Sequence, residues 1–466
     1  MVTGLTAQNE QDVLRYSFIQ TGGTTRSLSL GGALGAVGGD FAALSINPAG
    51  LGIYRTGEFS ITGDYNYFTA DARYLGNTMK DNGFKMGFSH FGVVVPINIE
   101  KEGSGIKGVT LAVGYNKLKD YGQNMTMKGI NNSNSLVDGF VNTANSTNGS
   151  WDPFTDGLAW ETYLIDYDSI AGVYYSDFGG SQYGQTQRRT VSTKGSLGEY
   201  DFSLGVNLSD KLFFGATMGV QKANYTEVWE HSETDPNDVI NFFNGFSFRN
   251  TLTTSGSGVN FKLGLLAKPM EFLRIGASIQ TPTVLNLKDD FSSSMSTDLN
   301  DDQPTHKYDA SGQFDYSVTT PFKATGSLAF IFKQYGLISV DYEYVDYTSG
   351  RLRASDYDFF SENEAVSQRY KAASNLRVGA EVRLMNSYYV RGGYALYTSP
   401  YEVNEPNAGK NLNTFSAGAG YRDQYYFIDF GFARSAWDQT YFLYGNNSAD
   451  VTNSQTRFSA TLGVKF

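Results

Sequence analysis

Apolar and small or polar residues alternate along most of the chain. At its end, Phe458, Ala460, Leu462, Val464 and Phe466 interleave with Ser459, Thr461, Gly463 and Lys465. A period of two places one set on each face of a β-strand. Ile338, Val340, Tyr342 and Tyr344 repeat the pattern, as do Leu376, Val378, Ala380 and Val382. The same reading predicts strands near 57–70, 84–98, 107–119, 197–208, 211–228, 242–268, 271–287, 312–332, 335–348, 371–384, 388–398, 411–422, 425–444 and 455–466. That is about fourteen, an even number, as bacterial membrane barrels have.

Alternation alone fits both a soluble sandwich and a membrane barrel, and connection lengths separate the two. Short turns are predicted at Leu208–Lys211, Ala267–Glu271, Phe332–Tyr335, Leu384–Ser387 and Arg422–Gln424. Longer polar segments lie between them: 120–196, the largest, then 229–241, 288–311, 349–370, 399–410 and 445–454. A transmembrane barrel has short turns at one rim and long loops at the other. The expectation is an all-β chain, a transmembrane antiparallel β-barrel formed by residues 57–466.

Composition agrees with this. Aromatics make up 15% of the chain and there are 52 Gly, whereas charged residues are only 18%. Rings favour the membrane–water interface, and Tyr and Phe cluster near strand ends. No run reaches the ~20 apolar residues of a transmembrane helix. A formal charge of −11 disfavours nucleic acid as a partner. The absence of Cys excludes disulfides, thiolate metal sites and cysteine nucleophiles. Residues 1–7 end in Leu5-Thr6-Ala7, which looks like the tail of a signal peptide, so a mature start near Gln8 is expected.

Residues 8–56 have a different texture, rich in small residues. Asp40 precedes Phe41-Ala42-Ala43-Leu44 and fits the N-cap of a short helix, which Asn47-Pro48 ends. Gly31, Gly32, Gly35, Gly38 and Gly39 permit close backbone packing. Asn9–Gln20 suits an amphipathic helix carrying Val13, Leu14 and Phe18, whose neighbours are expected to cover the periplasmic mouth. The run Gly31-Gly32-Ala33, Asp40 and Asn47-Pro48-Ala49-Gly50-Leu51 resembles the N-terminal signature of the FadL/TodX family of outer-membrane transporters. Asp12-Val13-Leu14-Arg15-Tyr16 resembles Bacteroidota-type members. The motif covers about 25 residues; the strand count and terminal Phe466 extend the resemblance in organisation to the whole chain.

The resemblance implies a monomeric barrel in the bacterial outer membrane, plugged by an N-terminal hatch over 8–56. It implies passive uptake of hydrophobic small molecules, either long-chain fatty acids or aromatic hydrocarbons, with sideways exit through the wall. It also implies no enzyme activity and no cofactor. Two other functions stay open: an accessory or scaffold barrel of a secretion complex (PorV-like), and a non-specific porin. A transporter needs a continuous apolar pocket and a gap in the wall. A scaffold needs a sealed barrel and an exposed apolar loop patch.

Candidate residues follow. Trp151, Phe154, Leu158, Trp160 and Tyr163, with Phe243 and Phe246, suit either a hydrophobic capture groove or a mini-core capping the barrel. A helix is expected over Phe154–Ile165. Arg274, Asp341, Glu343, Arg377 and Arg391 are expected in the lumen, bracing the wall or holding a carboxylate. Phe466 with its strand resembles the signal read by the outer-membrane insertion machinery, a further partner besides membrane lipid. Asp298, Asp301 and Asp302 lack the spacing of a Ca²⁺ loop. His90, His231 and His306 are scattered, so no metal site is expected, and no catalytic motif is present.

Overall fold

The computed structural model describes residues 8–20, 22–99, 105–178, 183–300 and 305–466. Residues 1–7, Asp301 and Asp302 lie outside the described residues, and with them the expected leader remnant and two of the acidic loop positions.

Fourteen antiparallel strands close into a barrel. They are β1 (Glu58–Tyr74), β2 (Asn77–Asn98), β3 (Ile106–Asp120, resuming as Gln123–Asn131), β4 (Gln185–Leu208), β5 (Leu212–Thr234) and β6 (Phe243–Met270). Then come β7 (Leu273–Gln280 and Val284–Leu299), β8 (His306–Thr319 and Lys323–Phe332), β9 (Gly336–Asp346, with Arg351–Arg353) and β10 (Ala372–Leu384). β11 (Tyr388–Tyr397), β12 (Leu412–Arg422), β13 (Tyr426–Tyr444) and β14 (Asn447–Lys465) complete the wall. The first and last strands pair from Glu58↔Lys465 to Arg73↔Asp450, so no edge is left there. Closure is what lets a sheet cross lipid, because every backbone polar group must be satisfied within the wall.

The alternation has the expected sense. On β14, Phe458, Leu462, Val464 and Phe466 face outward and are exposed, whereas Ser459 and Thr461 are buried in the lumen. On β1 the outward face is apolar from Phe59 to Tyr67, then turns to Thr69, Asp71 and Arg73. That apolar stretch is about nine residues, the span of a tilted strand across the hydrocarbon. Tyr335, Tyr388, Tyr425 and Tyr426 stand exposed at the rim with the short turns. By the barrel rule that rim is periplasmic.

Several strands run far past the membrane, and this moves the expected boundaries. β3 continues to Asn131 and β4 begins at Gln185, so the largest loop is 132–184 rather than 120–196. Most of 288–311 and all of 447–454 are strand. The first and last outer connections are two-residue hairpins, at Leu75-Gly76 and at Gly445-Asn446, not long loops. Above the membrane a strand faces water on its outer side and needs no apolar outward residues, so it reads as loop.

Residues 8–56 fill the lumen. α1 (Glu10–Ser17) is closed by a capping box in which Asn9 and Asp12 satisfy each other's end of the first turn. Its Val13 and Tyr16 pack among wall residues Leu118, Tyr121, Tyr225, Leu285 and Tyr316. It therefore lies inside the outer half of the barrel, above the elements that follow it. Glu10 receives Arg369 at 2.7 Å from α5 (Phe360–Arg369), which belongs to an outer loop. Below α1, α2 (Thr25–Ser29) and two 3₁₀ turns, Phe41–Ser45 and Pro48–Ile53, form the floor.

The excess of glycine now has a place. A Cβ at Gly215 would overlap the Pro48 carbonyl, one at Gly264 the Asn47 side chain, and one at Gly393 the Gly31 backbone. Bare wall positions let the hatch backbone lie directly on the sheet. Gly31, Gly32, Gly38 and Gly39 carry φ of +62, +79, +64 and +61, which side-chain-bearing residues rarely adopt.

Candidate functional site

The floor is held by polar contacts that the sequence motif encodes. Asp40 accepts from Ala42 N–H at 3.0 Å, as an N-cap should, and also from the Thr24 hydroxyl at 2.7 Å. Asn47 caps the second 3₁₀ turn through Ala49 N–H at 3.1 Å, so Asn47-Pro48 begins an element as well as ending one. The Asn47 amide also donates to Gly35 O at 2.7 Å and to the wall at Leu265 O at 3.1 Å. Gly50 packs on Gly38, and Leu51 is fully buried beside Phe41, Leu44 and Tyr54.

Lumen charges tie this floor to the wall. Arg26 donates to both Glu381 oxygens at 3.0 Å, and Glu381 accepts from Arg391 at 2.6 Å. Arg391 continues to Asp429 at 2.5 Å, and Arg422 reaches Asp429 at 2.7 Å. Asp341 accepts from Gly35 N–H at 3.0 Å and faces Arg377, which pairs with Glu343 at 3.2 Å. Arg274 donates to Val37 O at 2.5 Å. All five expected lumen residues thus point inward. Three of them, Arg274, Asp341 and Arg391, hold the hatch directly or through Glu381. Asp429 is expected among the lumen charges as well, and Glu381 lies on the polar face of its strand; Arg26, on the hatch, is the partner that the sequence reading does not single out.

Above the floor, Lys119 donates to Arg15 O at 3.0 Å and Lys323 to Ser17 O at 3.3 Å. Cations at a helix C-terminus are favourable. Neither lysine forms an ion pair among the described residues. A cavity of about 40 Å³ lies between α1 and the floor, lined in part by Ile19, Gln20, Lys262, Lys323 and Glu343. A second, of about 20 Å³, lies near Gln20, Leu28 and Tyr397. These hold a water or two, not a chain of carbons. Neither cavity is open to such a cargo, and both lie against described hatch residues.

The outer mouth is capped. α3 (Leu136–Ser146) and α4 (Asp156–Glu161) pack on the tops of the strands through Phe140, Leu158, Phe243, Phe246 and Phe248. The helix expected over Phe154–Ile165 is confined to six residues. Trp151 stacks on Trp160 with centroids 5.2 Å apart, and Phe154 meets Phe291 edge-on at 5.0 Å. Tyr163 alone of the candidate groove residues is mostly exposed, against His306. Trp151, Leu158, Trp160, Phe243 and Phe246 are brought together as a packed cap, whereas Phe154 and Tyr163 lie outside that cluster. Burial holds the Asp138 carboxyl of α3 above its usual range, and burial with that carboxylate pushes Tyr183 up to about 12. Glu233 anchors the cap by accepting from the Ser135 hydroxyl at 2.7 Å and from Leu136 N–H at 2.9 Å.

The ladder between β2 and β3 is interrupted, which strand alternation does not announce. β2 pairs with β3 only from His90↔Asn116 to Asn98↔Gly108. Residues 77–89 of β2 ladder with β1 alone, and Gln123–Asn131 ladder with β4 alone. β3 bulges between Lys117 and Lys119 and breaks at Tyr121-Gly122. There it bends inward until a Cβ on Gly122 would lie 2.9 Å from the Phe68 ring. Side chains span the resulting gap: Lys85 reaches Asp120 at 3.1 Å, and Thr126 reaches Asp81 at 3.3 Å. Phe84, Met86 and Phe88 flank it on the outer face, each about 70% exposed (71%, 74% and 69%).

Phe466 closes the barrel seam through paired backbone bonds with Gly57, at 2.9 and 3.0 Å. His90, His231 and His306 lie in separate surroundings, bonded to Ser60 and Asn116, to Glu233, and against Tyr163 respectively.

An apolar outer belt, a closed antiparallel wall and a plugged lumen define a transmembrane barrel of the bacterial outer-membrane type. Among solved structures, a FadL homologue of Pseudomonas aeruginosa superimposes with a TM-score of 0.57 at 15% identity, covering 97% of this chain and 100% of the other. The Pseudomonas putida toluene transporter TodX gives 0.57 at 13%, covering 96% and 99%. The Ralstonia pickettii toluene transporter TbuX gives 0.53 at 17%, covering 96% and 100%. No protein-family model and no curated protein sequence matches the chain. The chain has the FadL-type fold.

Proposed function

We propose that this chain is a passive outer-membrane transporter, acting as a monomer, that admits hydrophobic small molecules and releases them sideways through the β2–β3 gap. The edge of β2 over residues 84–89, which lies beside the apolar belt and has no ladder to β3, carries the reading. A barrel serving only as a scaffold gains nothing by leaving backbone groups unpaired at membrane depth. The floor bars a straight aqueous path, which opposes a porin. Displacing α1 from its apolar surroundings opens the chamber that a ligand needs. Two solved relatives are described as toluene transporters, which supports an apolar cargo. Lys119, which has no carboxylate partner among the described residues, favours a cargo with an acidic head, a long-chain fatty acid, over a bare hydrocarbon.

One observation favours an accessory role instead. The hairpin Asp166–Asp168/Val173–Tyr175 in the largest loop presents Ile170, 98% exposed, beside Tyr167 and Tyr175. Uptake separates the two. In a Gram-negative host lacking its own fatty-acid channel, expression of this chain should restore uptake of labelled oleate above that of toluene. A folded barrel that passes neither leaves the accessory reading.

A further inference from the structure

Behind the β2–β3 gap sits a cluster of four charges from three strands. Lys117 of β3 pairs with Asp64 of β1 at 2.8 Å and lies 3.6 Å from Asp120. Lys85 of β2 pairs with Asp120 at 3.1 Å and donates to Gly195 O of β4 at 3.1 Å. The side chains of Asp64 and Asp120 are fully buried and that of Lys117 nearly so; Lys85 points inward yet is 39% exposed through the gap. Where backbone ladders are missing, these ion pairs are the main bonds across the opening.

We propose that Asp64, Lys85, Lys117 and Asp120 form an electrostatic bolt that sets how often the wall opens. The proposal rests on sideways exit as the route, and it assigns the control of that route to named side chains. The geometry supports a bolt over a mere brace in two ways. The Lys85–Asp120 pair joins the two edges that share no ladder, so it is the contact that must break for the edges to part. Lys117, on the same side of the gap as Asp120, holds that carboxylate in place from within and is itself fixed by Asp64 on the far side of β2. Bulged backbone at Leu118 lets Lys117 and Lys119 both face inward, so the bolt abuts the residue that holds α1.

The chain has no cysteine, so an introduced thiol is labelled uniquely. A Cβ at Gly87 would lie 3.7 Å from Asp64 Oδ1 and 3.8 Å from Lys117 Nζ, which is ordinary contact directly behind the gap. The test uses the Gly87→Cys protein in phospholipid vesicles with a lipid-soluble maleimide. Adding Lys85→Gln and Asp120→Asn should raise the labelling rate roughly tenfold, the effect of losing about 1.4 kcal/mol of closure. The conservative Lys85→Arg variant, with Asp120 intact, should label within about twofold of the parent, because it keeps the pair across the gap and leaves Lys117 opposite a carboxylate. An unchanged rate in the neutralised protein, or a Lys85→Arg variant that labels like it, overturns the bolt. Oleate uptake is measured on the same vesicles. Labelling that responds while uptake is absent in every variant keeps the bolt and removes the transport reading.

Discussion

Arg26 offers the sharpest test of how the hatch is held. It belongs to the hatch, and both its bonds to Glu381 cross to the wall at 3.0 Å. The side chains are 9% and 8% exposed, so solvent screening is slight. Arg26→Met keeps much of the aliphatic stem and removes the charge. Breaking a buried pair typically costs about 3–5 kcal/mol. The lower end applies here, because three guanidiniums (Arg26, Arg391, Arg422) face two carboxylates (Glu381, Asp429), and removing one leaves the remainder balanced. About 3 kcal/mol corresponds to a rise of roughly a hundredfold in the detached hatch population. Native-state hydrogen exchange of hatch amides such as Leu28 and Gly32 reads that population directly. Glu381→Gln, which leaves buried Arg26 without its carboxylate and Arg391 and Arg422 sharing Asp429, should exchange faster still. Exchange in Arg26→Met within twofold of the unaltered protein refutes the view that this ion pair fastens the hatch.

Other outcomes follow from the same packing. Gly215→Val drives a side chain into the Pro48 carbonyl, so the floor cannot seat and conductance in planar bilayers should rise above that of the parent. Phe41, fully buried against Gly92 and Gly114, fills a site that cannot collapse; Phe41→Ala should lower unfolding free energy in urea by about 3–5 kcal/mol. Deleting Phe466 removes the seam bonds to Gly57 and the terminal outward ring, and should reduce the amount of folded barrel in the membrane, scored by heat-modifiable gel mobility.

The strand count and the facing of each strand are legible in the sequence because lipid and lumen impose opposite demands on alternate residues. Ser459 and Thr461 against Leu462 and Val464 show it. Lumen charges such as Asp341 and Arg377 are legible for the same reason. Strand ends are not: Ser292–Ser296 and Asp450–Ser454 lie where the outer face meets water, so their polar outward residues look like loop. The inner position of α1 is also hidden, since Val13 and Tyr16 would suit any apolar surface. The cap of Trp151, Leu158, Trp160 and Phe243 is legible as apolar clustering, but nothing in the spacing distinguishes a packed cap from an open groove. The β2–β3 gap is hardest, because ladder pairing leaves no periodic mark. Its one trace is Tyr121-Gly122, which the alternation places just past a strand, at the start of the 120–196 segment, and which the barrel uses as a bend.

The central claim is that cargo leaves through that bend. A Cβ on Gly83 would lie 3.0 Å from the Asn124 side chain across the gap, so Gly83→Cys with Asn124→Cys places two thiols where a disulfide locks β2 to β3. The decisive measurement is uptake of labelled oleate by this double variant, oxidised and then reduced. Lateral exit predicts that uptake falls to background when oxidised and recovers on reduction. Uptake that continues unchanged through the oxidised barrel contradicts it.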